Sequence, residues 1–200
     1  MPNHITNKIT VLEGQYDLSK LTSFNNVVPM PVEIKDTSHG NVVMELEKLF
    51  GILGHYGTPL TLKEIHNKYP NEDIAKLLTN FREHGHITWY SWSIEKWGTK
   101  WDMYNAECED NVLTFLTAWN APKQFYQALA DTLDYGTVLY VEYADEDIGY
   151  NAGVFVLSKE SVVHTKYDAD SKDAWELAIK LKGLEDDVHL VNDKWEFKED

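Results

Sequence analysis

Residues 4–12 alternate between apolar and polar positions, with Ile5, Ile9 and Val11 on one face, which predicts a half-buried central strand. Residues 17–21 suit a short helix. The two prolines in residues 24–34, FNNVVPMPVEI, forbid regular helix and disfavour central sheet, so an ordered loop is expected. The period then lengthens to that of helices. Asn41 is placed to cap a helix reaching Leu53, with Val42, Leu46, Leu49, Phe50 and Leu53 on one stripe and Gly54 and Gly57 ending it. Thr61, completed by Glu64 as a capping box, starts a second helix to about Tyr69. A third follows Pro70 and runs to His84 on the stripe Ile74, Leu77, Leu78 and Phe81, and a short helix over residues 89–96 stops at Gly98.

Strand patterns return at residues 103–107 and 112–119, joined by a polar turn at 109–111. Pro122 sits in the first turn of a helix to about Leu133, whose stripe is Phe125, Ala128, Leu129 and Leu133. Residues 137–143 alternate as a strand, 152–157 and 161–166 form a hairpin, 174–181 a helix, and 188–191 a weak strand. The order strand, helical insert, strand, strand, helix, strand is the β-α-β-β-α-β pattern of the ferredoxin-like fold, an α+β class with an antiparallel sheet whose first and third strands are central. A single ferredoxin-like domain is expected over residues 1–200, with a helical insertion at 35–86, an extra C-terminal hairpin and helix, and an acidic extension at 167–200. The helix pair at 61–87 superficially resembles a helix-turn-helix, but Lys76, Asn80 and Arg82 stand beside Glu72, Asp73 and Glu83, a poor groove-reading set.

Charge changes the functional picture. The chain of 200 residues carries a net charge of -15. Residues 1–100 hold 11 acidic and 10 basic groups, whereas residues 101–200 hold 22 acidic and 8 basic groups, so the acidity belongs to the second half. Between Lys123 and Lys159 there is no lysine or arginine, while Asp131, Asp134, Glu142, Asp145, Glu146 and Asp147 lie there; Glu185, Asp186 and Asp187 follow later. Such a field repels a phosphate backbone, so direct nucleic-acid binding is not expected, whereas a basic protein surface is a natural partner. No apolar run reaches the length of a membrane span, the N-terminus does not read as a signal peptide, and the single Cys108 suits a reducing compartment, so a cytoplasmic location is expected.

The chemistry of catalysis is sparse. His84 and His86 lack a matching ligand motif and read as helix C-terminal histidines, so no metal and no cofactor are expected. Cys108 lies between Glu107 and Glu109, which oppose thiolate formation. The run Asp145, Glu146 and Asp147 lacks the wider pattern of an EF-hand.

Residues 89–101, WYSWSIEKWGTKW, hold four tryptophans. Trp97 and Trp101 bracket a Gly-Thr turn, and with Trp119 they are expected to form one aromatic cluster under the sheet, Asn120 and Pro122 capping the next helix. Lys100 is left to snorkel along a ring or to make a cation–π contact. The start MPNHITNKITV, the loop NVVPMP, the segments WYSW and KWGTKW, and the junction FLTAWNAP together resemble the YubB-type ferredoxin-like domain family of phage and plasmid proteins, over about residues 1–34 and 87–158. That resemblance implies a ferredoxin-like fold carried on a mobile genetic element and supplies no reaction.

The expected function is therefore that of a non-enzymatic accessory protein binding a host protein through an acidic surface made of Asp131, Asp134, Glu142, Asp145, Glu146, Asp147, Glu185, Asp186 and Asp187. A DNA-mimic inhibitor of a nucleic-acid-binding defence factor is one form of it. The alternative is a nucleotide- or small-ligand-binding protein, or an enzyme, using the Trp-rich segment with Trp92, Lys96 and Lys100 around the ligand, where rings stack on bases.

Overall fold

A computed structural model describes residues 3–52, 57–191 and 194–198. Leu53 and Gly54, expected at the end of a helix, lie outside the described residues. The chain divides into two compact units, one of Met1–Val28 with Trp97–Asp200 and one of Pro29–Lys96.

The first unit is built on a six-stranded sheet. Its strands are β1 (His4–Glu13), β2 (Tyr104–Glu109), β3 (Val112–Ala118), β4 (Val138–Asp145), β5 (Gly153–Ser158) and β6 (Val162–Lys166), in the order β2-β3-β1-β4-β5-β6. Every pairing is antiparallel. β1 lies between β3 and β4, the ferredoxin-like arrangement, and the hairpin β5–β6 extends the sheet beyond β4. Asp110 and Asn111, both at positive φ, make the tight turn from β2 to β3, which suits the mirror-image turns that hairpins favour.

Helix α6 (Lys123–Thr132) covers one face of the sheet, where Ile5, Ile9, Phe115, Phe125, Leu129, Val141 and Phe155 are buried. In the middle of that apolar face stands Asn7, fully buried. Its amide donates to Thr117 Oγ1 at 2.9 Å and to the Ile5 carbonyl at 3.0 Å, and its Oδ1 accepts from Tyr126 Oη at 2.9 Å, so no polar atom is left stranded. Helix α7 (Lys172–Lys182), capped by Ser171, covers the opposite face at β4, with Ala174, Leu177 and Ala178 against Ala144, Ala152 and Val154. A second hairpin, β7 (Val188–Val191) with β8 (Lys194–Phe197), follows; the sequence pattern had shown only its first strand.

The second unit holds α1 (Val32–Lys35), α2 (Asn41–Phe50), α3 (Leu62–Lys68), α4 (Ile74–His84) and α5 (Trp89–Lys96) around Val42, Val43, Leu46, Ile65, Ile74 and Ile87. The Thr61–Glu64 capping box forms as expected. Two details differ. The cap of α2 is Gly40, not Asn41, and the helix closes three residues early because Gly51 takes the left-handed conformation that ends helices. Residues 24–34 are not all loop, since Phe24–Asn26 forms a 3-10 turn and α1 follows Pro31.

Candidate interaction site at one end of the sheet

The tryptophan-rich segment is divided between the two units. Trp89–Lys96 forms α5 of the second, and Trp97 onward belongs to the first. Trp97 is the ring that enters the core: it is buried, packs 5.6 Å from Phe24, and donates its indole N–H to the Val28 carbonyl at 3.0 Å. Gly98 follows at φ 87, in the left-handed region that side chains rarely adopt, which favours glycine at this turn. Trp101 and Trp119 do not join Trp97. They are 39% and 38% exposed, so the expected three-ring core cluster is replaced by one buried ring and two surface rings.

The departure has a backbone cause. Trp119 leaves β3 at φ 71, a region that bulky residues avoid, and this turns its ring away from the sheet. Neighbours hold it there: the Trp119 N–H donates to the Asn3 carbonyl at 2.9 Å, and Asn151 Nδ2 donates to the Trp119 carbonyl at 3.3 Å. Asn120, expected to cap α6, donates its N–H back to Ala118, and Pro122 takes the cap position with no side-chain bond.

Between the two exposed rings lies Lys100. Its Nζ is 4.9 Å from the Trp101 ring centroid and 4.8 Å from that of Trp119, a double cation–π arrangement. Trp101 meets Tyr104 edge to face at 6.4 Å, and Tyr104 Oη is 2.5 Å from His4 Nδ1. Burial, and secondarily the charge of Glu146, raises the Tyr104 hydroxyl above its ordinary pKa.

The acids of the β4 terminus stand on the same end. The Glu146 N–H donates to the His4 carbonyl at 2.9 Å. Asp145 is buried and accepts from Asn3 Nδ2 at 3.2 Å and Asn151 Nδ2 at 3.0 Å, while Asn3 Nδ2 also reaches Asp147 Oδ2 at 3.1 Å. Asn3 and Asn151 therefore tie the Trp119 backbone to the acidic turn. Glu146 and Asp147 are exposed, and the neighbouring Lys182 donates to Thr6 Oγ1 at 3.2 Å. Burial holds the Lys182 amine below its usual pKa, against the opposing pull of Asp145 and Glu146.

The other candidate residues are dispersed. Glu142 is buried and paired with Lys180 at 2.6 Å, so neither it nor Asp145 offers a free carboxylate to a partner. Asp131 is exposed in the last turn of α6 and Asp134 in the loop leading to β4, at the end of that strand opposite Asp145, the strand itself being about 23 Å long at ~3.3 Å per residue. Glu185, Asp186 and Asp187 form an exposed turn before β7. Trp92 is buried on α5, and Lys96 on the same helix pairs with Glu95 at 2.7 Å, so of the alternative ligand set only Lys100 stands among exposed rings. The sequence reading missed Asn3, His4, Tyr104 and Asn151. Asn3 and His4 lie in the quoted MPNH start and Trp119 in FLTAWNAP, so co-occurrence with WGTKW was the available signal.

Fold and strand order define a ferredoxin-like α+β protein. Residues 96–190 match the family model described as the ferredoxin-like domain in Api92-like protein, a span of just under half the chain that runs from Lys96 through β7. Over those residues the chain is similar to that ferredoxin-like domain family. No curated protein and no solved structure matches. Among the described residues no helix is long and apolar enough to cross a membrane.

Proposed function

We propose that this chain is a binding protein rather than an enzyme, a YubB-type accessory protein of phage or plasmid origin. It docks on a basic surface of a host protein with the end of the sheet that carries Trp101, Trp119, Tyr104, Glu146 and Asp147. The observation that supports this reading is that Asn3 and Asn151 tie the backbone of the exposed Trp119 to the acidic turn, while Lys100 lies against both Trp119 and the exposed Trp101. Tryptophan and tyrosine anchors beside a charged rim are the usual anatomy of a protein-binding hot spot. The acids steer a basic partner, and the rings supply the contact area.

The compactness of this patch favours docking on a protein over imitation of a DNA duplex, because the other candidate acids that are exposed, Asp131, Asp134, Glu185, Asp186 and Asp187, lie towards the far end of the sheet or on the turn before β7. An anti-defence role through a nucleic-acid-binding target remains compatible with it, since such targets carry basic surfaces.

The test is capture of a host partner by the wild-type chain and by Trp119→Ala in parallel. The reading requires a protein retained by the wild type at low salt, released as salt is raised, and not retained by the variant. Equal retention by both chains overturns it.

A further inference from the structure

We propose that the cleft between the β4–β5 loop, residues 146–152, and the β6–α7 loop, residues 167–171, receives an arginine side chain of the docking partner. This inference rests on the reading of the neighbouring end of the sheet as the docking surface and names the side chain it selects.

The cleft is a cavity of about 570 Å³ lined by Tyr150, Asn151, Lys166, Tyr167, Asp168 and Ala169. It adjoins the docking surface through Asn151, whose Nδ2 donates to the Trp119 carbonyl at 3.3 Å and to Asp145 Oδ2 at 3.0 Å. Backbone bonds lace the two loops together: the Tyr167 N–H donates to the Ala152 carbonyl at 3.0 Å, and the Asp170 N–H to the Gly149 carbonyl at 2.8 Å. Tyr167 is also packed on the apolar cluster between α7 and the sheet. The walls are thus in place before a ligand arrives, which spares binding the cost of ordering them.

The lining groups are mostly acceptors. Asn151 has committed its amide hydrogens to Trp119 and Asp145, so Oδ1 is the atom it has left to offer. Asp168 is exposed and has no ion-pair partner among the described residues, whereas the Asp170 carboxylate accepts from the Trp175 indole at 2.8 Å. Tyr150 is 52% exposed and lies against no other aromatic ring among the described residues. A phenol face, a carboxylate and a carbonyl oxygen lining one cavity match a guanidinium, which is planar, stacks on rings and carries five donors and no acceptor. A lysine ammonium, compact and strongly hydrated, matches them less well.

Charge points the same way. Residues 146–152 and 167–171 contain Glu146, Asp147, Asp168 and Asp170 and no lysine or arginine, so the local field favours a cation. Lys166, the last residue of β6, is the one lining group that opposes it. That opposition makes the sign of the ligand readable. A cation binds better without the Lys166 charge and worse without that of Asp168, and an anion such as a nucleotide phosphate does the reverse.

The experiment titrates the whole chain with acetylated and amidated tetra-arginine, and separately with tetra-lysine of equal charge, following the backbone amide signals of Tyr150, Asn151, Tyr167 and Asp168. Saturable shifts are expected, with tetra-arginine bound about two- to fivefold more tightly, the worth of a guanidinium on an exposed ring. Asp168→Asn and Tyr150→Leu should each weaken binding by about the same factor, and Lys166→Met should tighten it; all three residues are exposed, so the fold is preserved. Asp134→Asn makes the same charge change as Asp168→Asn at the opposite end of β4 and should leave binding unaltered. Still amides at all four positions, equal affinity for the two peptides, or the reverse signs at Lys166 and Asp168 overturns the proposal. If the Glu146 and Asp147 amides move while the four cleft amides stay still, the cleft proposal fails and the docking surface stands. Equal partner capture by the wild-type and Trp119→Ala chains removes the docking reading, whatever the cleft titration returns.

Discussion

The Lys100 ammonium stands 4.8 Å from the ring of Trp119, a residue whose own backbone is in the left-handed region at φ 71. A surface contact is thus built on a strained residue, and the strain separates stability from binding. Glycine at this position relieves the backbone at the expense of a ring that is only partly buried. Trp119→Gly is expected to fold with an unfolding free energy, read by urea titration, equal to or above that of the wild type by up to about 1 kcal/mol. Its affinity for the captured partner should fall at least about tenfold, as for loss of a hot-spot ring. A large loss of stability would show instead that the ring is a core element.

Trp97, three residues before Lys100, predicts the opposite. It is buried against Phe24 and its indole N–H is bonded to Val28. Trp97→Ala should cost about 3–5 kcal/mol, the usual range for a buried tryptophan, read as a lower midpoint in chemical unfolding.

Glu142 and Lys180 form an asymmetric pair, the carboxylate 8% exposed and the ammonium 59%. Removing the lysine leaves a buried carboxylate without this partner, whereas removing the carboxylate's charge leaves a lysine that water can solvate. Lys180→Ala is expected to destabilise by about 1–3 kcal/mol, and adding Glu142→Gln to recover part of that loss. A loss from Lys180→Ala that the added Glu142→Gln does not reduce would contradict the assignment.

Two histidines set a pH response. Burial lowers the pKa of His86, with Lys96 adding to that and Glu95 and Glu47 opposing it. Burial with Lys123 and Lys166 lowers that of His164, which stacks 4.0 Å from Phe155 and bonds Tyr143 Oη at 2.8 Å. A folded-state pKa below the unfolded value of 6.5 means that the fold favours the neutral ring. The associated stability is present above pH 6.5 and is lost as pH falls through the lower folded values. Unfolding free energy should therefore decline between pH 7 and pH 5, less steeply in the double variant His86→Gln, His164→Gln. An unchanged slope in that variant would place the response on other groups.

Much of the fold was legible because hydrophobic period and local punctuation agree. The alternation Ile5, Ile9 and Val11 located the central strand, and the order of later strands and helices fixed the topology. The β7–β8 hairpin was not fully legible, since Lys194–Phe197 alternates over only four residues in a charged tail. The site was harder for a different reason. Counting acids by sequence position could not show that Glu142 is buried against Lys180, or that Asp145 is consumed by Asn3 and Asn151. Tryptophan density likewise marked the segment without revealing that Trp97 turns inward while Trp101 turns outward. Between them the chain turns at Gly98, φ 87, and Trp119 leaves its strand at φ 71. Lys100, by contrast, was singled out from its neighbours alone, and its cation–π contacts are present.

The central claim is that one end of the sheet, and not acidity in general, is the recognition surface. Binding of a captured partner to two charge-reversed chains of equal net charge tests it most directly, Glu146→Lys with Asp147→Lys at one end of β4 and Asp131→Lys with Asp134→Lys at the other. The account predicts that the first pair abolishes binding and that the second leaves it within about threefold, as expected for charges lying beyond two Debye lengths at physiological salt. Equal losses from both pairs, or a greater loss from the second, would contradict it.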